Sequence, residues 1–138
     1  EAGWIDAGGA RVMLADIPHK GGRTFGIRVE ADGASLAYLP DHDPVADPEP
    51  GAKLARGVDL LLHDGQFAES ERDVAVAYGH ATVGDAVELA AHAGVGRLVL
   101  IHHAPERTDD GVDELSAGHA SGAAVTVLPG CEGTVVEL

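Results

Sequence analysis

The chain has 138 residues, enough for one modest domain with a single buried core. Hydrophobic residues make up 45% of it, aromatic residues only 4%, and 19 residues are glycine, a mix that suits α/β layers and excludes a disordered chain. The formal charge of −14 at pH 7 disfavours a nucleic-acid partner, because the nine Lys and Arg residues are scattered along the chain.

Other broad classes are excluded by simple patterns. No apolar run approaches the roughly 20 residues that a membrane span needs, and no signal-peptide pattern opens the chain, so no membrane association is expected. The single cysteine, Cys131, excludes an intramolecular disulfide and fits a reducing compartment. We therefore expect a cytoplasmic protein.

The first part of the chain predicts antiparallel strands. Residues 10–18, 25–31 and 34–39 alternate or run apolar as strands do, and the Asp32-Gly33 pair between the last two is a strong hairpin signal. Residues 42–50 hold three prolines and three acids, which predicts an irregular loop.

The second part predicts alternating strands and helices. We expect buried strands at 58–62 and 97–101 and a helix at 83–93, with Thr82 as N-cap and Gly94 as stop. A short helix near 112–120 and strands at 124–128 and 133–137 complete the order. Hairpins followed by strand–helix–strand units, without linkers or repeats, predict one α/β layered half-domain.

Histidines and aspartates follow the ends of several predicted strands. Loops at one edge of a sheet gather such strand ends into a common crevice. These residues are His19, Asp41, His63 with Asp64, and His102 with His103. A single histidine after a strand is most often a capping or surface residue, but four such ends together favour a site for zinc, manganese or iron.

Five segments resemble the motifs of ribonuclease Z-like members of the metallo-β-lactamase superfamily. The resemblance runs from about residue 10 to residue 112. The segments are Asp16-Ile17-Pro18-His19 with the strand after it, Leu39-Pro40-Asp41, Leu62-His63-Asp64-Gly65-Gln66-Phe67, Gly79-His80-Ala81-Thr82 and Leu100-Ile101-His102-His103-Ala104-Pro105. In the third of these, Asp64 stands where that group has Glu in a His-Glu-Ala-Thr motif.

The resemblance implies an α/β fold, the four-layer αββα metallo-β-lactamase fold, and a centre with two divalent ions. Zinc is the first expectation, with manganese or iron as alternatives. His19 would bind one metal, Asp41 would bridge both and His102 would bind the other. Such a pair can polarise a phosphoryl oxygen and supply a hydroxide nucleophile near neutral pH.

The resemblance also implies an acid–base pair. His80 would protonate the leaving oxygen, and Asp64 would hold its ring. The structural alternatives are a capping role for Asp64 and a helix-terminal role for His80. His42 and His103 are expected beside the centre or exposed, and not as metal ligands.

One family motif is missing from these 138 residues. The His-x-His-x-Asp-His segment, which supplies most ligands of the first metal, does not occur. We therefore expect residues 1–138 to be the C-terminal half of the fold, inactive alone, and associated with the N-terminal half or with further copies of itself. The start at Glu1 instead of Met fits this interpretation.

The expected substrate is small. His19 and Asp41 are 22 residues apart, which leaves room for a hairpin but not for the long arm that grips tRNA in the tRNA-processing enzymes. With the negative charge, this spacing favours a small phosphodiester, such as a cyclic nucleotide or a cyclic sugar phosphate. Arg23, Arg28 or Arg107 could hold its phosphate. The alternatives are hydrolysis of a carboxylic or sulfate ester, and a non-catalytic binding or assembly module.

Overall fold

A computed structural model of the chain describes residues 3–120 and 124–138. It contains one mixed sheet of seven strands that lie side by side in chain order. The strands are β1 (Trp4–Ala7), β2 (Ala10–Ile17), β3 (Thr24–Ala31), β4 (Ala34–Leu39), β5 (Leu60–Asp64), β6 (Arg97–Ile101) and β7 (Thr126–Pro129). β1 to β4 pair antiparallel, whereas β4 to β7 pair parallel.

Among the described residues, four α-helices connect the parallel strands. They are α1 (Glu49–Ala55), α2 (Arg72–Tyr78), α3 (Val83–Ala93) and α4 (Asp109–Ala120), and a short 3₁₀ turn, Glu69–Glu71, precedes α2. In the described part of the chain no helix is long and apolar enough to cross a membrane.

The strongest local signals are confirmed. β4, α3 and β6 have the predicted bounds, and Thr82 caps α3 by accepting the backbone N–H of Asp85, while Gly94 ends the helix in a left-handed conformation. Asp32 and Gly33 both have positive φ angles, 51° and 83°, as a two-residue hairpin turn requires.

Other elements differ from the prediction. The predicted loop at 42–50 is shorter, because α1 begins at Glu49: Pro50 lies in its first turn, where no backbone N–H is needed. The strand predicted at 58–62 lies at Leu60–Asp64, α4 begins at Asp109, and the predicted strand at 133–137 is not a strand. β1 and α2 were not predicted, since both are short and mostly exposed.

The core lies between the sheet and the helices. α1, α3 and α4 pack on one face of the sheet, where large buried side chains fill the layer. The largest of them are Leu39, Leu54, Leu61, Leu98 and Leu100. The small residues of α3, Ala86 and Ala90, bring this helix close to the strands.

The opposite face of the sheet carries a second apolar surface, because side chains alternate along each strand. One row runs across six strands in register, from Leu14 through Ile27, Tyr38, Leu62 and Val99 to Leu128. Leu14, Tyr38 and Leu128 in this row are exposed. We call these six residues the open-face row.

Candidate metal centre

The topology brings the predicted strand ends to one edge of the sheet. β3 runs opposite to both β2 and β4, and β4 to β6 are parallel, so β2, β4, β5 and β6 all end at the same edge. His19 and Asp41 each follow their strand by two residues, Asp64 ends β5, and His102 follows β6. The crevice expected from the sequence therefore has a structural basis.

Three side chains at this edge form a group of potential ligands. One donor atom each from Asp41, His80 and His102 lies within 4.8 Å of the others, and His102 Nδ1 lies 3.1 Å from Asp41 Oδ1. Zinc binds imidazole nitrogen and carboxylate oxygen at about 2.0–2.2 Å, so two ligands of one ion are separated by roughly 4 Å or less. The donor set fits a divalent metal ion with little adjustment.

His19 lies beside this group. Its Nδ1 is 2.8 Å from the backbone oxygen of Gly79, and its ring centroid is 4.8 Å from that of His80. A carbonyl oxygen can only accept, so Nδ1 donates and a neutral His19 keeps its lone pair on Nε2. Metal-binding histidines commonly make this hydrogen bond. The geometry suits the predicted ligand role, which stays a prediction.

The backbone on both sides holds His80 in place. Gly79 caps the C-terminus of α2 with a φ of 77°, and Thr82, two residues after His80, is the N-cap of α3. Thr82 pairs with Phe67, whose backbone oxygen accepts the N–H of Val83 at 2.9 Å. A histidine fixed between two helix ends has little freedom to leave the crevice.

Asp64 is the buried partner of His80. Its Oδ2 accepts from His80 Nδ1 at 2.6 Å, and its Oδ1 accepts from the backbone N–H of Gln66 at 3.1 Å. Burial alone would raise the pKa of Asp64, but the imidazoles of His102 and His80 lower it below its ordinary value. Asp64 is therefore a carboxylate at neutral pH, which fixes the His80 ring with Nε2 as its free nitrogen.

His102 has an uncommon backbone conformation. Its φ of 58° is one of two positive values among the described residues other than glycine, and the other belongs to the hairpin residue Asp32. Such conformations cost free energy and cluster at functional sites. The carboxylates of Asp64, principally, and Asp41 raise the pKa of the His102 ring, against the opposing effect of burial.

A pair of buried histidines lies next to the two carboxylates of the centre. His42 and His63 are fully buried, and His42 Nδ1 lies 2.8 Å from His63 Nε2. His63 Nδ1 lies 2.6 Å from the backbone oxygen of Asp64, to which it donates. Burial lowers the pKa of His63. Burial, together with the neighbouring His63 ring, also lowers the pKa of His42, to about 3.

Sequence reasoning missed this pair. It expected His42 beside the centre or exposed, and it treated His63 only as part of a strand end. The one signal in the sequence is the spacing, because Asp41-His42 and His63-Asp64 each place a histidine next to an aspartate. Both rings are neutral, and each follows or precedes a carboxylate of the centre along the chain.

The three arginines considered for phosphate binding are all paired with carboxylates. Arg23 makes two hydrogen bonds to Asp16, Arg28 pairs with Glu30, and Arg107 pairs with Glu71. His103 Nε2 lies 3.2 Å from the backbone oxygen of Gly130. None of these side chains belongs to the group of three donors.

Comparison with known proteins identifies the family. A family profile described as the beta-lactamase superfamily domain matches residues 4–103. The chain belongs to this superfamily. The matched range contains all five residues that the sequence assigned to the centre, namely His19, Asp41, Asp64, His80 and His102.

A ribonuclease Z from Prochlorococcus marinus (strain MIT 9313) is a curated relative of this chain. The two are 39% identical over 97 residues, which cover 70% of this chain and 29% of the relative. The chain thus spans under a third of that relative's length. Sequence similarity confirms the resemblance to ribonuclease Z.

Solved structures confirm the fold. A crystal structure of a diphosphatase from the PhnP family has a TM-score of 0.72 and 19% identity, with 100% of this chain and 47% of that chain covered. Zn²⁺-bound PqqB from Methylobacterium extorquens has a TM-score of 0.71 and 22% identity, with 99% and 54% covered. The predicted α/β class and metallo-β-lactamase fold are confirmed.

Proposed function

We propose that this chain supplies part of the metal site and the proton donor of a two-metal hydrolase that acts on a small phosphodiester. The observation that carries the proposal is the convergence of Asp41, His80 and His102 within 4.8 Å of one another. Support also comes from the relatives, since ribonuclease Z and the diphosphatase both act on phosphate esters or anhydrides, and PqqB is zinc-bound.

Two divalent ions, zinc first among them, would be held by His19, Asp41 and His102, with the remaining ligands from the His-x-His-x-Asp-His segment of the family. When bound, such ions polarise the phosphoryl oxygen and lower the pKa of water to near neutrality. Because this chain carries only three of the expected ligands, we expect it to hold less than one equivalent tightly and to be inactive alone.

The chain's own acid chemistry rests on His80 and Asp64. The buried carboxylate accepts from His80 Nδ1, which leaves Nε2 to carry the proton that the leaving oxygen needs. Two backbone N–H groups, those of His42 and Gln66, fix the carboxylate. His80 would thus donate its proton from a fixed position.

The reaction class can be tested with three matched substrates. The polypeptide encoded by the whole reading frame should hydrolyse bis(p-nitrophenyl) phosphate in the presence of zinc or manganese. Slow or absent turnover of p-nitrophenyl acetate and p-nitrophenyl sulfate is expected under the same conditions. Faster turnover of either ester would favour the alternative substrates, and no turnover of any of them would favour a non-catalytic binding module.

Replacing Asp41 with asparagine should weaken zinc binding at least about tenfold, because the amide cannot contribute the negative charge of a carboxylate ligand. Titration of the chain with zinc, followed through the ring signals of His80 and His102 by NMR, measures the apparent Kd. Asp43→Asn is the matched control: Asp43 lies in the same loop and caps it through hydrogen bonds from Val45 and Ala46, which an amide oxygen also accepts. Equal affinities for the two variants would contradict the ligand role.

The open-face row supports a proposal about partners. Half of its six side chains are exposed although apolar, and burying such a surface stabilises association. We propose that the half of the fold carrying the missing motif covers this face, and that copies of the chain associate through it when that half is absent. Nucleic acid and membrane are not proposed as partners.

Leu14→Lys should therefore reduce self-association of the isolated chain, because it places a charge at an exposed end of the open-face row. Sedimentation equilibrium should show the weight-average mass falling towards that of the monomer. Val135→Lys is the matched control, since Val135 is 85% exposed and lies outside the row. A monomeric parent chain, or equal effects of the two variants, would argue against this surface.

A further inference from the structure

A pocket of about 330 Å³ opens beside His80 on the side formed by α2 and the loop after β6. His80 forms part of its wall, so whatever occupies the pocket lies next to the proposed proton donor. Phe67, Val74, Tyr78 and Pro105 supply most of the remaining apolar lining. The pocket is thus part of the same crevice as the candidate metal centre but is lined mainly by apolar and aromatic groups.

Two of these side chains are exposed against the usual tendency of their type. Tyr78 is 64% exposed and Val74 is 44% exposed, and they lie four residues apart on α2, so they face the same way. Phe67 continues this surface inwards, with its ring centroid 6.2 Å from that of His80. Apolar surface of this kind, beside polar groups, marks ligand-binding sites.

The charge of the pocket disfavours a phosphate in it. Among the described residues no lysine or arginine lines the pocket, and its one acidic residue is Glu106. A phosphate would therefore stay with the metal ligands. The uncharged part of the substrate, on the side of the leaving oxygen that His80 protonates, is the part that fits the pocket.

We propose that this pocket binds a planar aromatic ring on the leaving-group side of the phosphodiester, through Phe67 and Tyr78. The proposal rests on the proposed function and narrows its substrate class from small phosphodiesters in general to those that carry a nucleobase or an aryl group. It disfavours a cyclic sugar phosphate, which offers no flat apolar face. Stacking on aromatic side chains tolerates different rings, since every ring has a π-face.

Binding without turnover tests the pocket directly. The chain is titrated with adenosine 5′-monophosphate, p-nitrophenyl phosphate and ribose 5-phosphate, and backbone amide shifts are followed by NMR. The two aromatic ligands should shift the amides of Phe67 and Tyr78 and bind about tenfold or more tightly than ribose 5-phosphate. Tighter binding of the nucleotide than of p-nitrophenyl phosphate would indicate that the pocket prefers a nucleobase. Equal binding of these two ligands would indicate that the pocket accepts any aryl ring. Equal binding of all three ligands would overturn the proposal.

Tyr78→Ala should lower the affinity for the two aromatic ligands roughly tenfold. Tyr78→Phe should keep the affinity of the parent chain, because the ring and not the hydroxyl makes the contact. Val76→Ala is the matched control, since Val76 lies on the same helix, is 50% exposed and does not line the pocket. Circular dichroism checks that each variant folds. An unchanged affinity in Tyr78→Ala would also overturn the proposal.

The outcome is separable from that of the proposed function. Binding of aromatic ligands at these residues without hydrolysis of bis(p-nitrophenyl) phosphate would support the aromatic pocket and contradict the proposed reaction. Hydrolysis with the same KM for aryl and alkyl phosphodiesters would support the reaction and contradict the aromatic pocket.

Discussion

Replacing His80 with alanine should lower the rate of phosphodiester hydrolysis by about 10²–10⁴-fold, which is the usual contribution of a positioned general acid. The expectation rests on the 2.6 Å hydrogen bond from His80 Nδ1 to the buried Asp64, which holds the ring in place with Nε2 free to donate to the leaving oxygen. The measurement is kcat and KM with a phosphodiester that has an alkyl leaving group, on the polypeptide encoded by the whole reading frame.

The same variant separates two roles that the geometry allows for His80. If His80 is the proton donor, its loss should lower kcat and leave the amount of bound metal unchanged. If His80 is a metal ligand together with Asp41 and His102, its loss should also reduce the metal content. Metal analysis of the purified variant therefore accompanies the kinetics, and a loss of metal in proportion to activity would assign His80 to the metal.

A substrate with a good leaving group sharpens the test, because p-nitrophenolate needs little help from an acid. The effect of His80→Ala should therefore be smaller with bis(p-nitrophenyl) phosphate than with a phosphodiester that has an alkyl leaving group. His92→Ala is the matched control, since His92 is an exposed histidine on α3 outside the centre. An equal loss with both substrates would argue against proton donation.

The fold was predictable where the signal is local. The bounds of β4 and α3 follow from the Asp32-Gly33 turn and from the Thr82 and Gly94 caps, each of which depends on the residues of its own segment. α1 and α2 escaped prediction because each has only seven residues, too few for a clear apolar period, and prolines surround the start of α1. Their positions depend on packing and on capping contacts distant in sequence.

The candidate site was predictable in its composition but not in its arrangement. The positions of His19, Asp41, Asp64 and His102 at the ends of predicted strands pointed to them. The strands β2, β4, β5 and β6 run in the same direction, so they end at one edge of the sheet. His80 follows no strand, and only the family resemblance pointed to it. The contact between His42 and His63 joins residues 21 positions apart through the core, so no local pattern could have shown it.

This buried pair allows one further test of how the two carboxylates of the centre are supported. Gly51, in α1, packs against the His42 ring so closely that an added Cβ would overlap its atoms. The ring cannot turn away freely, since His42 Nδ1 is hydrogen-bonded to His63, which in turn donates to the Asp64 backbone. A methyl group at residue 51 therefore has to displace either the helix or the histidine pair.

Gly51→Ala should destabilise the chain by about 1–3 kcal/mol, the usual cost of overpacking a core, although alanine is the better helix former by about 1 kcal/mol. Gly118→Ala is the matched control: Gly118 lies in α4 with open space around its Cα, so this change should stabilise by roughly 0.5–1 kcal/mol. Urea unfolding of both variants gives the free energies of unfolding.

A double-mutant cycle assigns the cost to the ring. In a His42→Ala background the overlap is gone, so Gly51→Ala should be neutral or stabilising there, with a coupling energy of at least about 1 kcal/mol. The same cost in both backgrounds would show that α1 and not His42 resists the methyl group. His42 directly follows Asp41, and its backbone N–H donates to Asp64, so a displaced ring should also weaken zinc binding in Gly51→Ala. Loss of stability together with loss of zinc affinity would show that close packing at Gly51 helps to position the carboxylates of Asp41 and Asp64.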